Sequence, residues 1–285
     1  MASLKEIKHR IVSVKNIQQV TSAMKLVSAA KLQRSGNAIQ KIRPYQNKLY
    51  TIATRYFNSV SPFISPYLMK RKISRVAIIP VSSNNSLCGS FNINLIRFLE
   101  KILDSYKKLG KENVLIYPIG KKVEDALKKM NYPIQGSFQN LSDNPTYAET
   151  KELTKELIKQ FNEKNIDQAE IVYHHFKSKG SITLTRKIFL PKVDLIQNEK
   201  NKLEYIVEPS PLELTSELLP LLLYNDMYLT LLNASASEHA TRMIAMQIAT
   251  DNAGELLSDL TLQYNKSRQQ AITNELLDIL GGSMQ

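Results

Sequence analysis

Two hydrophobic periodicities divide the chain. Near its start, apolar residues at Leu4, Ile7, Ile11 and Val14, then Ile17, Val20, Met24 and Val27, recur at steps of three and four. That spacing lays a narrow apolar seam along one side of an α-helix, as in a coiled coil. Ser3-Leu4-Lys5-Glu6 is a capping-box pattern for the helix start, no proline intervenes before Pro44, and the pattern reaches toward Phe57. The same spacing returns near the other end in Met243, Met246, Thr250, Ala253, Leu257, Leu260 and Tyr264. Ser210-Pro211-Leu212-Glu213 supplies an N-cap, a proline at the first helical position and a glutamate at the third. Pro220 predicts a kink or a restart, and Gly281-Gly282 suits a C-terminal stop. At about 1.5 Å per residue, a helix over 4–43 spans roughly 60 Å and one over 210–280 exceeds about 100 Å.

Between these helices the period changes. The prolines at 62 and 66 break the first pattern. Val76 to Val81 and Val114 to Ile119 read as buried strands. Phe91 to Leu109, Lys121 to Met130 and Pro145 to Asn162 read as helices. Ala169 to Phe176 and Ile182 to Leu190 read as strands joined by a turn at Lys177-Ser178-Lys179-Gly180-Ser181. Residues 191–208 read as a polar connection. Alternating strands and helices predict a small, mostly parallel α/β domain. The expected architecture is α+α/β: a long antiparallel coiled coil of both terminal helices with that domain inserted. The expected boundaries are 1–58, 73–195 and 209–285.

Charge strengthens the pairing of the two ends. The net charge of +12 is uneven: residues 1–75 carry 15 Lys/Arg against Glu6 alone, whereas 204–285 carry 3 basic and 11 acidic residues. Two long helices of opposite charge attract each other. A basic arm also suggests nucleic acid, but few aromatics interleave before Tyr45, so base stacking is poorly supported. Tryptophan is absent and only nine glycines occur, which suits a helix-rich protein. Cys88 is the single cysteine, so no internal disulfide can form and a reducing compartment is expected. No signal peptide is apparent, and Leu218 to Tyr224, the most apolar stretch, is far short of a membrane span.

Candidate chemistry is thin. Gly120-Lys121 lacks the earlier glycine and the following hydroxyl of a phosphate loop. Leu87-Cys88-Gly89 follows the first strand, where an α/β fold can hold a ligand, but it reads more simply as a tight connection. Cys88 reads as a small buried thiol. His174 and His175 are adjacent on a strand and face opposite ways, so they do not form one metal site. His9 and His239 lie on the two long helices and are expected to be solvated. No catalytic residue, metal ligand or cofactor is assigned.

Three motifs resemble the gamma subunit family of F-type ATP synthases. They are Val20-Thr21-Ser22-Ala23-Met24-Lys25-Leu26-Val27-Ser28-Ala29-Ala30-Lys31-Leu32; Leu87-Cys88-Gly89-Ser90-Phe91-Asn92; and a long run from Ala236-Ser237-Glu238-His239-Ala240 through Thr250-Asp251-Asn252-Ala253 and Tyr264-Asn265-Lys266-Ser267-Arg268-Gln269 to Ile272-Thr273-Asn274-Glu275. The resemblance implies a non-catalytic rotor shaft turning inside a threefold head of alpha and beta subunits. Its α/β foot would sit with the epsilon subunit on the membrane c-ring, peripheral to the cytoplasmic face of a bacterial inner membrane. It implies subunit contacts at Met24, Lys25, Arg268, Gln269, Thr273 and Glu275, with Met24 near the level of Arg268, and an apolar tip including Leu276, Leu277, Ile279 and Leu280 inside a hydrophobic collar. The basic residues Lys5, Lys8, Arg10, Lys15, Lys25, Lys31 and Arg34 would face an acidic sleeve. Asn84-Asn85-Ser86 depart from the family's Asp-basic-Gly, so the ionic contact of that loop does not carry over. Ser283 replaces an alanine, and Cys88 alone cannot form the redox pair of some photosynthetic relatives. The competing reading is an α/β small-ligand enzyme with a helical oligomerisation arm.

Overall fold

The computed structural model describes residues 4–59, 65–178, 180–196, 207–208 and 210–282. The chain forms two compact units, 30–241 and 1–29 with 242–285. Two helices contribute to both: α1 (Leu4–Ser59) and α6 (Pro211–Gly282). The cap expected at Ser3 and the alanine replacement at Ser283 lie outside the described residues.

In the larger unit a four-stranded sheet has the order β2 (Val114–Ile116), β1 (Val76–Pro80), β3 (Gln168–Ser178), β4 (Ser181–Leu190). The β1–β2 and β1–β3 pairings are parallel, and β3–β4 is an antiparallel hairpin. Every residue of β1 is buried, as a central strand covered on both faces requires. Strand alternation sorts two apolar layers. Val76, Ile78, Val114, Ile116 and Val172 meet Leu95 and Leu99 of α2 (Phe91–Ser105) and Val123 and Leu127 of α3 (Lys121–Lys129). Ala77, Ile79, Ile171 and Tyr173 meet Leu157 and Phe161 of α5 (Tyr147–Asn162) and Leu223, Met227 and Leu231 of α6. A short α4 (Gln139–Asp143), which no periodicity announced, precedes α5. The expected helix to Leu109 ends earlier, at Ser105, and 107–109 close as a 3-10 turn.

Pro220 starts no new helix, since α6 runs unbroken through it. A proline removes one backbone hydrogen bond. Around it Leu218, Leu219, Leu222 and Leu223 are buried, and the first three pack on Leu49, Ala53, Tyr56 and Phe57 of α1. The Ser210 hydroxyl accepts from the Glu213 backbone N–H at 3.3 Å, as the cap pattern predicts.

Candidate functional site

In the smaller unit the two helices run antiparallel. Lys25 Nζ donates to Gln247 Oε1 at 2.7 Å, and Thr21 Oγ1 lies 2.8 Å from Thr250 Oγ1. A Cβ added at Gly254 would come within 3.1 Å of Gln18 Nε2. Seven residues back along α1, from Lys25 to Gln18, are thus matched by seven forward along α6, from Gln247 to Gly254. On α6 the inward positions are those the spacing predicts: Met246, Ala253 and Leu260 are buried, and Met243, Thr250, Leu257 and Tyr264 are half-buried.

The α1 seam differs from expectation. Through Val14 the inward positions agree, with Ile7 buried and Ile11 and Val14 half-buried. Beyond Val14 the contact line passes through Gln18, Thr21, Lys25 and Ser28, with Met24 half-buried at its edge, and leaves out Ile17, Val20 and Val27. Ile17, Val20 and Val27 are 55%, 58% and 57% exposed. The reason is periodic. Ile7, Ile11, Val14, Gln18, Thr21, Lys25 and Ser28 keep a strict seven-residue repeat, which holds one face toward a partner helix. Three-residue steps from Val14 to Ile17 to Val20 rotate away from it, at about 100° per residue. From Gln18 to Ser28 the α1 side of the seam is therefore polar, and an apolar stripe faces outward. The strict heptad was visible in the sequence, and weighting repeat above hydrophobicity would have found it.

The expected contact residues fall into two groups. Met24 and Lys25 are half-buried on α1, Lys25 bonded to Gln247. Arg268, Gln269, Thr273, Glu275, Leu276 and Leu280 are exposed on α6, and the Thr273 hydroxyl donates to the Gln269 carbonyl at 2.9 Å. Met24 does not share a level with Arg268. The antiparallel register puts Met24 opposite Gln247–Thr250, and Arg268 lies roughly 27 Å of helix further on. Leu276, Leu277, Ile279 and Leu280 are 56% to 67% exposed, forming the apolar tip. Lys5, Lys8, Arg10 and Lys15 are exposed. In the larger unit, Lys31 and Arg34 are exposed as well. The charge complementarity of the helices acts through a relay: Lys25 donates to Gln247, whose amide donates to both Asp251 carboxylate oxygens.

The larger unit offers the places where an α/β enzyme would work. Cys88 is 2% exposed, and Asn92 Nδ2 donates to its sulfur at 3.2 Å. Gly120 has φ +96°, and a Cβ there would lie 2.3 Å from the Ser82 carbonyl, so Gly120-Lys121 is a packing device. Asn84 ties the loop, donating to Gln139 O and Asp143 Oδ2 and accepting from Lys121 N. The crevice at the end of β1 is filled. Val81, Ser82, Phe91, Leu141 and Ser142 close on Leu231, Ala234, Ser235 and Glu238 of α6, leaving no volume for a water molecule.

That filling explains a second departure. His239 is buried, not solvated, because all ten residues Leu231–Ala240 are buried. Small side chains at Ala234, Ser235, Ala236, Ser237 and Ala240 let neighbours close on every side. His9 is exposed as expected. His174 stacks on Phe91 at 4.1 Å, and burial lowers its pKa to about 4. His175 is lowered by burial and then by Arg43, Lys177 and Lys187.

A groove of about 650 Å³ runs beside β4, lined in part by Arg71, Arg186, Lys187 and Asp167. These four charges are engaged by neighbours. Arg71 donates to the Phe161 carbonyl, Arg186 grips Glu170, Lys187 grips Asp226, and Asp167 accepts from Ser74 N and Arg75 N. Among the described residues no metal-ligating cluster occurs, and no helix is long and apolar enough to cross a membrane.

A family model described as ATP synthase matches residues 3–284. The ATP synthase gamma chain of Phocaeicola vulgatus is 51% identical over 289 residues, covering all of both chains. That of Bacteroides fragilis is 50% identical, again over the full length of both. Among solved structures, a chain of the Euglena gracilis mitochondrial ATP synthase (OSCP/F1/c-ring) has TM-score 0.63 at 19% identity, covering 99% of this chain and 93% of its own. One from the Tetrahymena thermophila mitochondrial ATP synthase central stalk and c-ring has TM-score 0.60 at 22% identity, covering 81% and 99%.

Proposed function

The chain belongs to the ATP synthase gamma chain family, and from that premise we propose that it couples rotation of a membrane ring to the catalytic cycle of the beta subunits. The outward apolar stripe of the smaller unit carries this reading. Ile17, Val20 and Val27 stand exposed on a helix whose own seam is polar from Gln18 to Ser28, an arrangement suited to a helix pair sheathed by other subunits. In this reading the pair turns inside a threefold alpha–beta head. An asymmetric shaft presents a different face to each beta subunit and biases each toward a different conformation.

The residue roles follow. In this reading Arg268, Gln269, Thr273 and Glu275 hydrogen-bond to beta subunits, with charge assistance at Arg268 and Glu275. Leu276 and Leu280 sit in an apolar collar, and Met24 and Lys25 touch the sleeve about 27 Å lower. The functional division is 1–58 and 209–285 as shaft and 73–195 as foot, docked on the epsilon subunit and the c-ring at the cytoplasmic face of the inner membrane. Nucleotide chemistry takes place on the beta subunits and this chain is not catalytic, a reading supported by the filled crevice at the end of β1.

Reconstitution with the alpha and beta subunits of the same organism tests the proposal. One copy per three alpha–beta pairs, and multisite ATP turnover that requires it, are expected. A chain that neither enters the complex nor changes turnover would overturn the reading.

A further inference from the structure

The larger unit joins α6 to its sheet in two physically different ways. Leu223, Met227, Leu231 and Ala234 pack in the apolar layer beneath the sheet. Apolar burial is non-directional: it resists separation of two surfaces more than their sliding. Directional bonds supply what burial does not. Asp226 of α6 accepts from two lysines on separate segments. Lys187 of β4 reaches Oδ1, and Lys192, past the end of β4, reaches Oδ2 at 2.6 Å. Lys192 is 1% exposed, and its backbone N–H is anchored on the Tyr67 carbonyl at 2.7 Å. Burial alone would raise the Asp226 pKa, but the charges of Lys192 and Lys187 outweigh it and hold it at about 2. Three helical turns on, the hydroxyl of fully buried Ser237 donates to the backbone carbonyl of His174 on β3 at 2.8 Å.

Asp226 and Ser237 share one face of α6, since eleven residues make close to three full turns. Each fixes the helix to a different strand. A rotation of α6 about its axis, or a slide along it, must break an ion pair or strand a buried hydroxyl. The apolar contacts between them could re-form after a small slip.

We propose that Asp226, with Lys187 and Lys192, and Ser237, with the His174 carbonyl, are the pins through which torque passes between the sheet and α6. The proposal rests on the rotor-shaft reading. These side chains are positioning residues: they touch no nucleotide, and they act by preventing the helix from yielding while the sheet is driven.

The test uses the whole ATP synthase in sealed vesicles, reading ATP hydrolysis and the ion gradient it sustains. In the triple variant Asp226→Leu, Lys187→Met, Lys192→Met, the triad becomes apolar, a replacement that often leaves stability unchanged or raised. Ser237→Ala removes one hydrogen bond and no charge. Both variants are expected to assemble and to hydrolyse ATP at the wild-type rate once the head is detached. The sustained gradient is expected to fall about twofold in the triple variant and less in Ser237→Ala. A purely structural role would lower yield or melting temperature and leave the gradient per assembled complex unchanged. An unchanged gradient in the triple variant overturns the proposal. If that variant does not assemble, Ser237→Ala decides: a lowered gradient supports the pins and an unchanged one overturns them. Failure of the shaft reading is seen separately, as wild-type pumping that persists when this chain is left out.

Discussion

The same pair of helices is built in two ways. In the larger unit, α1 offers Leu49, Ala53, Tyr56 and Phe57 and α6 offers Leu218, Leu219 and Leu222, every one buried. In the smaller unit, over 18–28 of α1, the inward positions are Gln18, Thr21, Lys25 and Ser28, near Gln247, Thr250 and Gly254 of α6. There the large apolar side chains, Ile17, Val20 and Val27, point away from the partner helix. The first stretch holds itself together. The second meets its partner through polar side chains of α1 over 18–28 and keeps apolar surface for something outside. A heptad repeat specifies a helix pair, and the residues placed on it decide whether the pair is self-sufficient.

The sharpest way to break this contrast is a cavity. Leu222→Ala removes a fully buried side chain from the larger unit and is expected to cost about 2–5 kcal/mol in denaturant unfolding. Leu257→Ala, at a half-buried seam position of the smaller unit, is expected to cost about 1 kcal/mol. Equal losses would show that the two stretches are equally packed.

Acid separates the units next. His174, in the larger unit, titrates near 4 when folded against an ordinary value of 6.5. The unfolded chain then binds more protons than the folded one between those values. Stability from this group is full above about pH 6.5 and is lost as pH falls toward 4. His174→Phe keeps an aromatic ring against Phe91 and is expected to flatten that part of the pH–stability curve. A curve unchanged in shape would show that His174 binds its proton equally well in the folded and the unfolded chain.

A milder intervention repairs the polar seam. Lys25→Leu with Gln247→Leu replaces a half-buried hydrogen bond by apolar contact, and is expected to stabilise the free chain by about 1 kcal/mol. Hydrogen exchange across 4–29 and 242–282 should slow accordingly. Destabilisation would mean that the Lys25–Gln247–Asp251 relay carries more of the seam than its packing does.

Much of this was legible in the sequence because two periods are hard to confuse. The β1 run, the β3–β4 hairpin and both long helices announce themselves by alternation, turn residues and 3-4 spacing. The phase of α1 did not, since two stripes, Ile17-Val20-Met24-Val27 and Gln18-Thr21-Lys25-Ser28, have the same spacing one residue apart. Hydrophobicity favours the first stripe, and the geometry of a paired helix selects the second. The burial of His239 was likewise hidden, because enclosure of Leu231–Ala240 comes from segments distant in sequence, among them Ser35 of α1, His174 of β3 and Leu141 of α4. The level of Met24 relative to Arg268 required the pairing register, which motif resemblance does not contain.

The smallest expected effect on the free chain is also the most informative. Ile17→Ser with Val20→Ser changes two side chains more than half exposed. Surface substitutions away from packed features shift stability within about 0.5 kcal/mol, so unfolding of the free chain should scarcely change. Against alpha and beta subunits the same variant should assemble more weakly, because the apolar area it removes is the area the sleeve covers. A chain that loses stability on its own would mean that the stripe packs internally. A chain that keeps both stability and assembly would mean that the stripe is idle. Only unchanged folding with weakened assembly fits a helix pair whose outer face is completed by other subunits.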